Sequence, residues 1–168
     1  MSATAINHLK HEAIVGGVSN TIFNGVIAWL LMRSGPALQW GGDNSFVIDI
    51  IATALLLPLI VALIVIPLQR SKKNKGKLPA MSLGAHSLTQ RFADLFPLST
   101  GKCALLFGLT GLLVIAPLTL LAFYLLGVAE VPPLHYAIFK GLWAGAMAAL
   151  LVLPMVLVAL RDTEAVQT

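Results

Sequence analysis

The chain has 168 residues, of which 58% are hydrophobic and only 11% charged, with a mean hydropathy of +0.89. Soluble domains carry about 25% charged residues, so this composition leaves too little polar surface to cover a soluble globule. The net charge of +4 does not indicate a nucleic-acid binder, because the cations gather in one short stretch without interleaved aromatics. A single cysteine, Cys103, excludes an internal disulfide and a thiolate metal cage.

Met1 to Glu12 is polar, and the first apolar run covers 13–32. About 20 helical residues at 1.5 Å each cross a hydrocarbon core of about 30 Å. A cleavable signal peptide has a shorter apolar region of about 7–15 residues and a small-x-small end. This run ends in Met32-Arg33-Ser34-Gly35-Pro36, so it reads as a retained span. A Gly/Pro-punctuated loop with Trp40 and Asp43 leads to the second span, 46–68, which contains Pro58 and Pro67. Proline inside a bilayer helix predicts a kink at Pro58, not a break.

Residues 69–102 form the long middle connection and carry the densest charge: Arg70, Lys72, Lys73, Lys75 and Lys77. Further on, Ser87 and Gln90 fit a capping box, and Pro97 marks a stop. Leu88, Phe92, Leu95 and Phe96 fall on one helical face. The spacing predicts a short amphipathic helix, either lying on the membrane surface or docked on the bundle ends. The third span is 103–127 with Pro117 inside it, and the fourth is 137–160 with Pro154; a short loop with Glu130 and Pro132-Pro133 separates them.

Orientation follows from the cations. With the middle loop in the cytoplasm, nine Lys and Arg residues lie inside and only Arg33 and Lys140 outside. The sequence therefore predicts an all-α integral membrane protein with four transmembrane helices as two hairpins. Both termini are cytoplasmic, and the basic loop contacts anionic lipid headgroups. The outer ends carry Trp29, Trp40, Phe46, Phe123, Tyr124, Tyr136, Phe139 and Trp143, which read as an aromatic belt at headgroup level. The pattern resembles small multi-pass bacterial membrane proteins in general, which implies the cytoplasmic membrane as location.

A shift of 91 residues aligns the two halves without gaps. It places Gly17-Val18-Ser19 on Gly108-Leu109-Thr110, Asp49 on Lys140 and Arg70 on Arg161. This register motivates a duplicated hairpin, with the repeats related by an axis along the membrane normal.

Polar residues within spans are costly and face the protein interior or water. Glu12, Gly16, Asn20, Asn24 and Ala28 recur at i+4 steps as one stripe, flanked by Ser19 and Thr21. As a site, Asn20 and Asn24 line a solute path with Glu12 at its mouth. As packing, the same spacing lets helices approach and hydrogen-bond, which is the commoner use. Asp49 and Lys140 each sit about a turn inside the outer end of a span. They can pair across the bundle as a gate or ion site, or Lys140 can snorkel while Asp49 stays at a wet helix end. A lysine near a helix N-terminus is disfavoured by the dipole, which makes Lys140 the odder of the two. Gly141, Gly145 and Ala149 form a small-xxx-small series suited to close helix packing, and Gly108 and Gly111 on the third span have the same use.

None of His8, His11, His86 and His135 lies deep in a span, which argues against a haem held between helices. His8, His11 and Glu12 share a face but lack the H-E-x-x-H order and a further ligand, so a solvated amphipathic turn is the better reading. Gly101-Lys102 lacks the other residues of a P-loop, and Gly17 to Thr21 lacks the closing glycine of a nucleophile elbow. No catalytic set, metal site or cofactor is expected. Three function classes remain: a small-solute or ion transporter or channel subunit acting as an oligomer, a non-catalytic accessory or scaffold subunit of a larger membrane assembly and, ranked last, a membrane-embedded enzyme. A four-helix centre filled by side chains leaves no wide pore in one chain.

Overall fold

The computed structural model describes residues 3–78 and 88–161. Ser87 of the expected capping box, His86 and the tail after Arg161 lie outside the described residues. Helices dominate: α1 (Ala3–Met32), α2 (Phe46–Asn74), α3 (Leu88–Asp94), α4 (Thr100–Thr110), α5 (Ala116–Leu125) and α6 (Pro133–Leu160). A π-helical segment, Gly111–Ile115, joins α4 to α5 into one rod. Four rods are long and apolar enough to cross a membrane, and the chain is a multi-pass helical membrane protein.

The helices exceed the apolar runs. α1 begins at Ala3, and α2 continues past residue 68 to Asn74, so the first part of the basic stretch is helix rather than loop. Hydropathy marks only the part of a helix matched to hydrocarbon. Lysine and arginine are good helix formers and are favoured in the last turn by the dipole. The third rod starts at Thr100, after Ser99 in extended conformation, and α6 starts at Pro133, whose fixed φ suits a first helical turn. Pro58 and Pro67 lie inside an unbroken α2, and Pro154 inside an unbroken α6.

Pro117 has a different consequence. It carries no N–H, so the regular ladder must lose a bond near it. The rod widens just before it: the N–H of Ala116 bonds Gly111 O, five residues back. This single π turn re-registers the helix ahead of the proline.

α6 is the central helix. α1 lies along one side of it, and α2 lies on another, with the α4–α5 rod against α2. Glycine permits both flanking contacts. A Cβ on Gly145 would meet the Gly17 carbonyl at 2.8 Å and the Thr21 side chain closer still. A Cβ on Gly141 would meet Thr21 O at 2.8 Å, and one on Gly111 would strike Ala54 O of α2. Backbones therefore touch along α1–α6 and at the π segment, the close approach that small residues allow in bilayers.

Three buried clusters fill the interior, two of them between the long rods. At the basic end Ala62, Ile66, Cys103, Phe107, Met155 and Ala159 pack together. At the other end Phe46, Ile50, Ala54, Ala116 and Tyr136 do so. Phe46 and Tyr136 are fully buried there, so these two rings belong to the core and not to a headgroup belt. Their ring contacts explain the difference: Phe46 packs edge-on against Trp40 and Phe123, and Tyr136 and Phe123 both meet Phe139.

The two connections at that end are tied by a short antiparallel ribbon, β1 (Leu38–Gln39) with β2 (Glu130–Val131). Trp40 Nε1 donates to Val128 O at 2.6 Å, and Ser45 Oγ to Trp40 O at 3.0 Å. Ribbons of two residues carry no periodicity, and the sequence gives no sign of this one. At the basic end α3 docks through buried Ala93 against Val156 and Leu160 of α6. Arg161 donates to Ala93 O and to Phe96 O, the latter at 2.8 Å, while Phe92, Leu95 and Leu98 remain exposed.

Candidate functional site

The most unusual chemistry inside the spans joins α2 to α6. Lys140 Nζ reaches Asp49 Oδ1 at 2.6 Å, and Tyr136 OH donates to Asp49 Oδ2 at 2.6 Å. Asp49 lies in the first turn of α2, and Tyr136 and Lys140 are one turn apart on α6. Tyr136 is fully buried, and the Lys140 side chain keeps only 11% exposure, whereas the Asp49 side chain keeps 25%. Lys140 Nζ turns to Asp49, and its stem is enclosed between helices. Both carboxylate oxygens have a donor, and the pair is closed by charge-assisted bonds. Position near the α2 N-terminus also favours the anion. The dipole penalty on Lys140 is offset by a carboxylate within direct bonding distance.

The register of this contact is informative. Asp49 and Lys140 are 91 residues apart, and so are Gln39 and Glu130, which pair in the ribbon. Under the same shift α1 corresponds to the α4–α5 rod and α2 to α6. The helix packing has the matching form: α1 lies on α6 as α4 lies on α2, with α2 and α6 in contact.

Asn20 and Asn24 lie apart from this cluster. Asn20 Nδ2 donates to Gly16 O at 2.8 Å and Asn24 Nδ2 to Asn20 O at 3.0 Å, each one turn back on α1 itself. Both are half-buried, as is Ser19 between exposed Val18 and Ile22. The seam of α1 against α6 is instead made by Gly17, Thr21 and Gly25. Asn20 and Asn24 thus lie beside the intrachain seam, whereas Gly16 of the same stripe faces Val152 and Ala28 is fully buried. Among the described residues the remaining amide groups of the two asparagines make no further hydrogen bond.

Glu12 is tied to α2: Lys72 Nζ lies 3.1 Å from Glu12 Oε1. His8 Nε2 stands 3.8 Å from the same oxygen and 2.9 Å from Oε1 of Gln69, a fully buried side chain of α2. The basic residues divide by use. Arg70 Nη1 donates to Leu98 O at 2.7 Å and Thr100 Oγ1 at 3.1 Å. Lys73 donates to Arg161 O at 2.8 Å. Lys75 and Lys77 are exposed.

The residues that sequence reasoning missed are Tyr136 and Gln69. Tyr136 had a usable signal, since it sits at i−4 from the anomalous Lys140 and so shares its face. Gln69 had none, because it directly abuts a polar stretch. Among the described residues no group of three or more His, Cys, Asp or Glu side chains could hold a metal ion. No family model matches this chain, and neither the curated proteins nor the solved structures contain a match.

Proposed function

We propose that this chain is a non-catalytic membrane subunit that works by association with further copies of itself, in a bacterial cytoplasmic membrane with the basic end inside. The observation that carries this is the half-exposed Ser19–Asn20–Asn24 face of α1. Each Asn spends one N–H on its own helix, which leaves the second N–H and the carbonyl oxygen. Lipid tails offer no partner for these groups. A second copy offers the same donors and acceptors in the same order, and an isologous contact is the commonest oligomer geometry. The exposed rims of α1, Val18, Ile22, Val26 and Ile27 among them, supply apolar surface around that polar stripe.

Internal duplication belongs to the same proposal. It is supported by the two contacts between residues 91 apart and by the exchanged packing of α1 and α4. A second reading, passage of a small solute or ion along the seam between copies, is favoured by Glu12 at the basic end of the stripe. Oligomeric state in mild detergent tests the proposal. The wild type should run as a dimer or larger closed assembly, and Asn20→Leu/Asn24→Leu should run as a folded monomer. A monomeric wild type, or an assembly that persists in the double variant, refutes it. Flux in proteoliposomes that the double variant abolishes would favour passage over a purely structural role.

A further inference from the structure

At the basic end, between the first turns of α1 and the last turns of α2, lies a cavity of about 480 Å³. Its formation follows from the end of α2. Leu68, Ser71, Lys72 and Lys75 fall at i, i+3, i+4 and i+7 and share one face. The helix then stops in a Schellman motif: Lys77 N donates to Lys72 O at 3.0 Å and Gly76 N to Lys73 O at 2.9 Å. Gly76 takes φ +67, the left-handed conformation this motif requires. The reversal folds Lys77 and Leu78 back over the face that carries Lys72 and Lys75. Leu68, Ser71, Lys72, Lys75, Lys77 and Leu78 line the cavity, with His8, His11 and Glu12 of α1 opposite.

Within that wall Lys72 is bound to Glu12. The ammonium groups of Lys75 and Lys77 have no hydrogen-bonded partner among the described residues, and Ser71 and His11 are exposed beside them. Three lysines thus face one carboxylate around a single space, with the Ser71 hydroxyl on their wall and the His8 and His11 imidazoles across from it. Such a set lacks an anion with several acceptor oxygens. Leu68 and Leu78 add an apolar edge where the helix leaves its membrane-crossing part.

We infer that this cavity is a binding site for a phosphate group, held by Lys75, Lys77 and Ser71 with Lys72 behind them. The group comes from a phospholipid headgroup or from free phosphate, and the apolar edge suits the headgroup. The site meets the α1 stripe assigned to self-association at Glu12 alone, and Lys75, Lys77 and Ser71 lie on the α2 side of the cavity.

Native mass spectrometry of the full chain in mild detergent tests it, with phosphatidylglycerol added in one arm and inorganic phosphate in the other. Lys75→Gln/Lys77→Gln should weaken binding about 25-fold, at about fivefold per lysine near an anionic headgroup. Lys10→Gln/Lys102→Gln removes the same charge from exposed positions that do not line the cavity, and should change it less than about threefold. Binding of phosphatidylglycerol but not phosphate assigns the lipid as source, and displacement of the lipid by millimolar phosphate assigns the phosphate group alone. Equal losses in the two double variants would mean diffuse attraction and overturn the site, as would no binding in either arm. All four lysines are exposed, so an unchanged melting temperature confirms that each variant is folded.

Discussion

Removing either charge of the Asp49–Lys140–Tyr136 cluster should cost more than removing all three polar groups. Lys140→Met leaves the Asp49 carboxylate between two helices with only the Tyr136 hydroxyl. Breaking a buried ion pair from one side costs about 3–5 kcal/mol. Asp49 keeps 25% of its side chain exposed, so water recovers part of that. About 2–3 kcal/mol is the expected loss for Lys140→Met, and for Asp49→Leu slightly more, because Lys140 is the more enclosed partner. The double variant Asp49→Leu/Lys140→Met removes both charges but orphans the Tyr136 hydroxyl, at about 1–3 kcal/mol. The triple variant with Tyr136→Phe should return to within about 1 kcal/mol of the parent, since well-packed apolar replacements of buried pairs are near neutral. The exchange Asp49→Lys/Lys140→Asp should recover at least half of either single loss, because the two side chains face each other at bonding distance and Tyr136 stays one turn from residue 140. Reversible unfolding in mixed micelles with increasing sodium dodecyl sulfate, followed by helical circular dichroism, gives these differences. Single variants that each lose less than about 1 kcal/mol, with an additive double, would show that the cluster is not coupled and refute the reasoning.

Gly145→Val should disrupt the α1–α6 seam, where an added Cβ meets the Gly17 carbonyl at 2.8 Å, and lower stability by about 1–3 kcal/mol or more. A cysteine pair across that seam would then crosslink more slowly than in the parent, and an unchanged rate would contradict the packing. Gly111→Val should be at least as severe, because Ala54 O of α2 occupies the place of the new side chain; Gly101→Val, with open space around it, serves as the control. Arg161→Gln should loosen α3, since its guanidinium holds Ala93 O and Phe96 O. Amide exchange over Leu88–Phe96 should rise at least tenfold while α6 stays protected, and unchanged exchange would mean that Ala93 packing alone holds α3.

Four membrane spans, their order and the odd position of Lys140 were legible in the sequence. Lipid thickness imposes a length on any spanning helix, and intrahelical bonds satisfy the backbone without help from the rest of the chain. Local spacing also showed that Asn20 and Asn24 share a face. It did not show that they would sit beside the Gly17–Thr21–Gly25 seam, because which small residues meet is decided by the partner helix. The limits of α2 were hidden as well, since lysines at its end read as loop by hydropathy yet continue the helix to Asn74. Tertiary structure alone decided that Lys140 bonds Asp49 and Tyr136, that the ribbon at Gln39 and Glu130 closes the other end, and that Gly76 turns Lys77 back toward Lys72. Each of these joins groups whose meeting depends on how whole helices pack or on where a helix ends, and the hydrophobic periodicity of a single span carries no record of its neighbour.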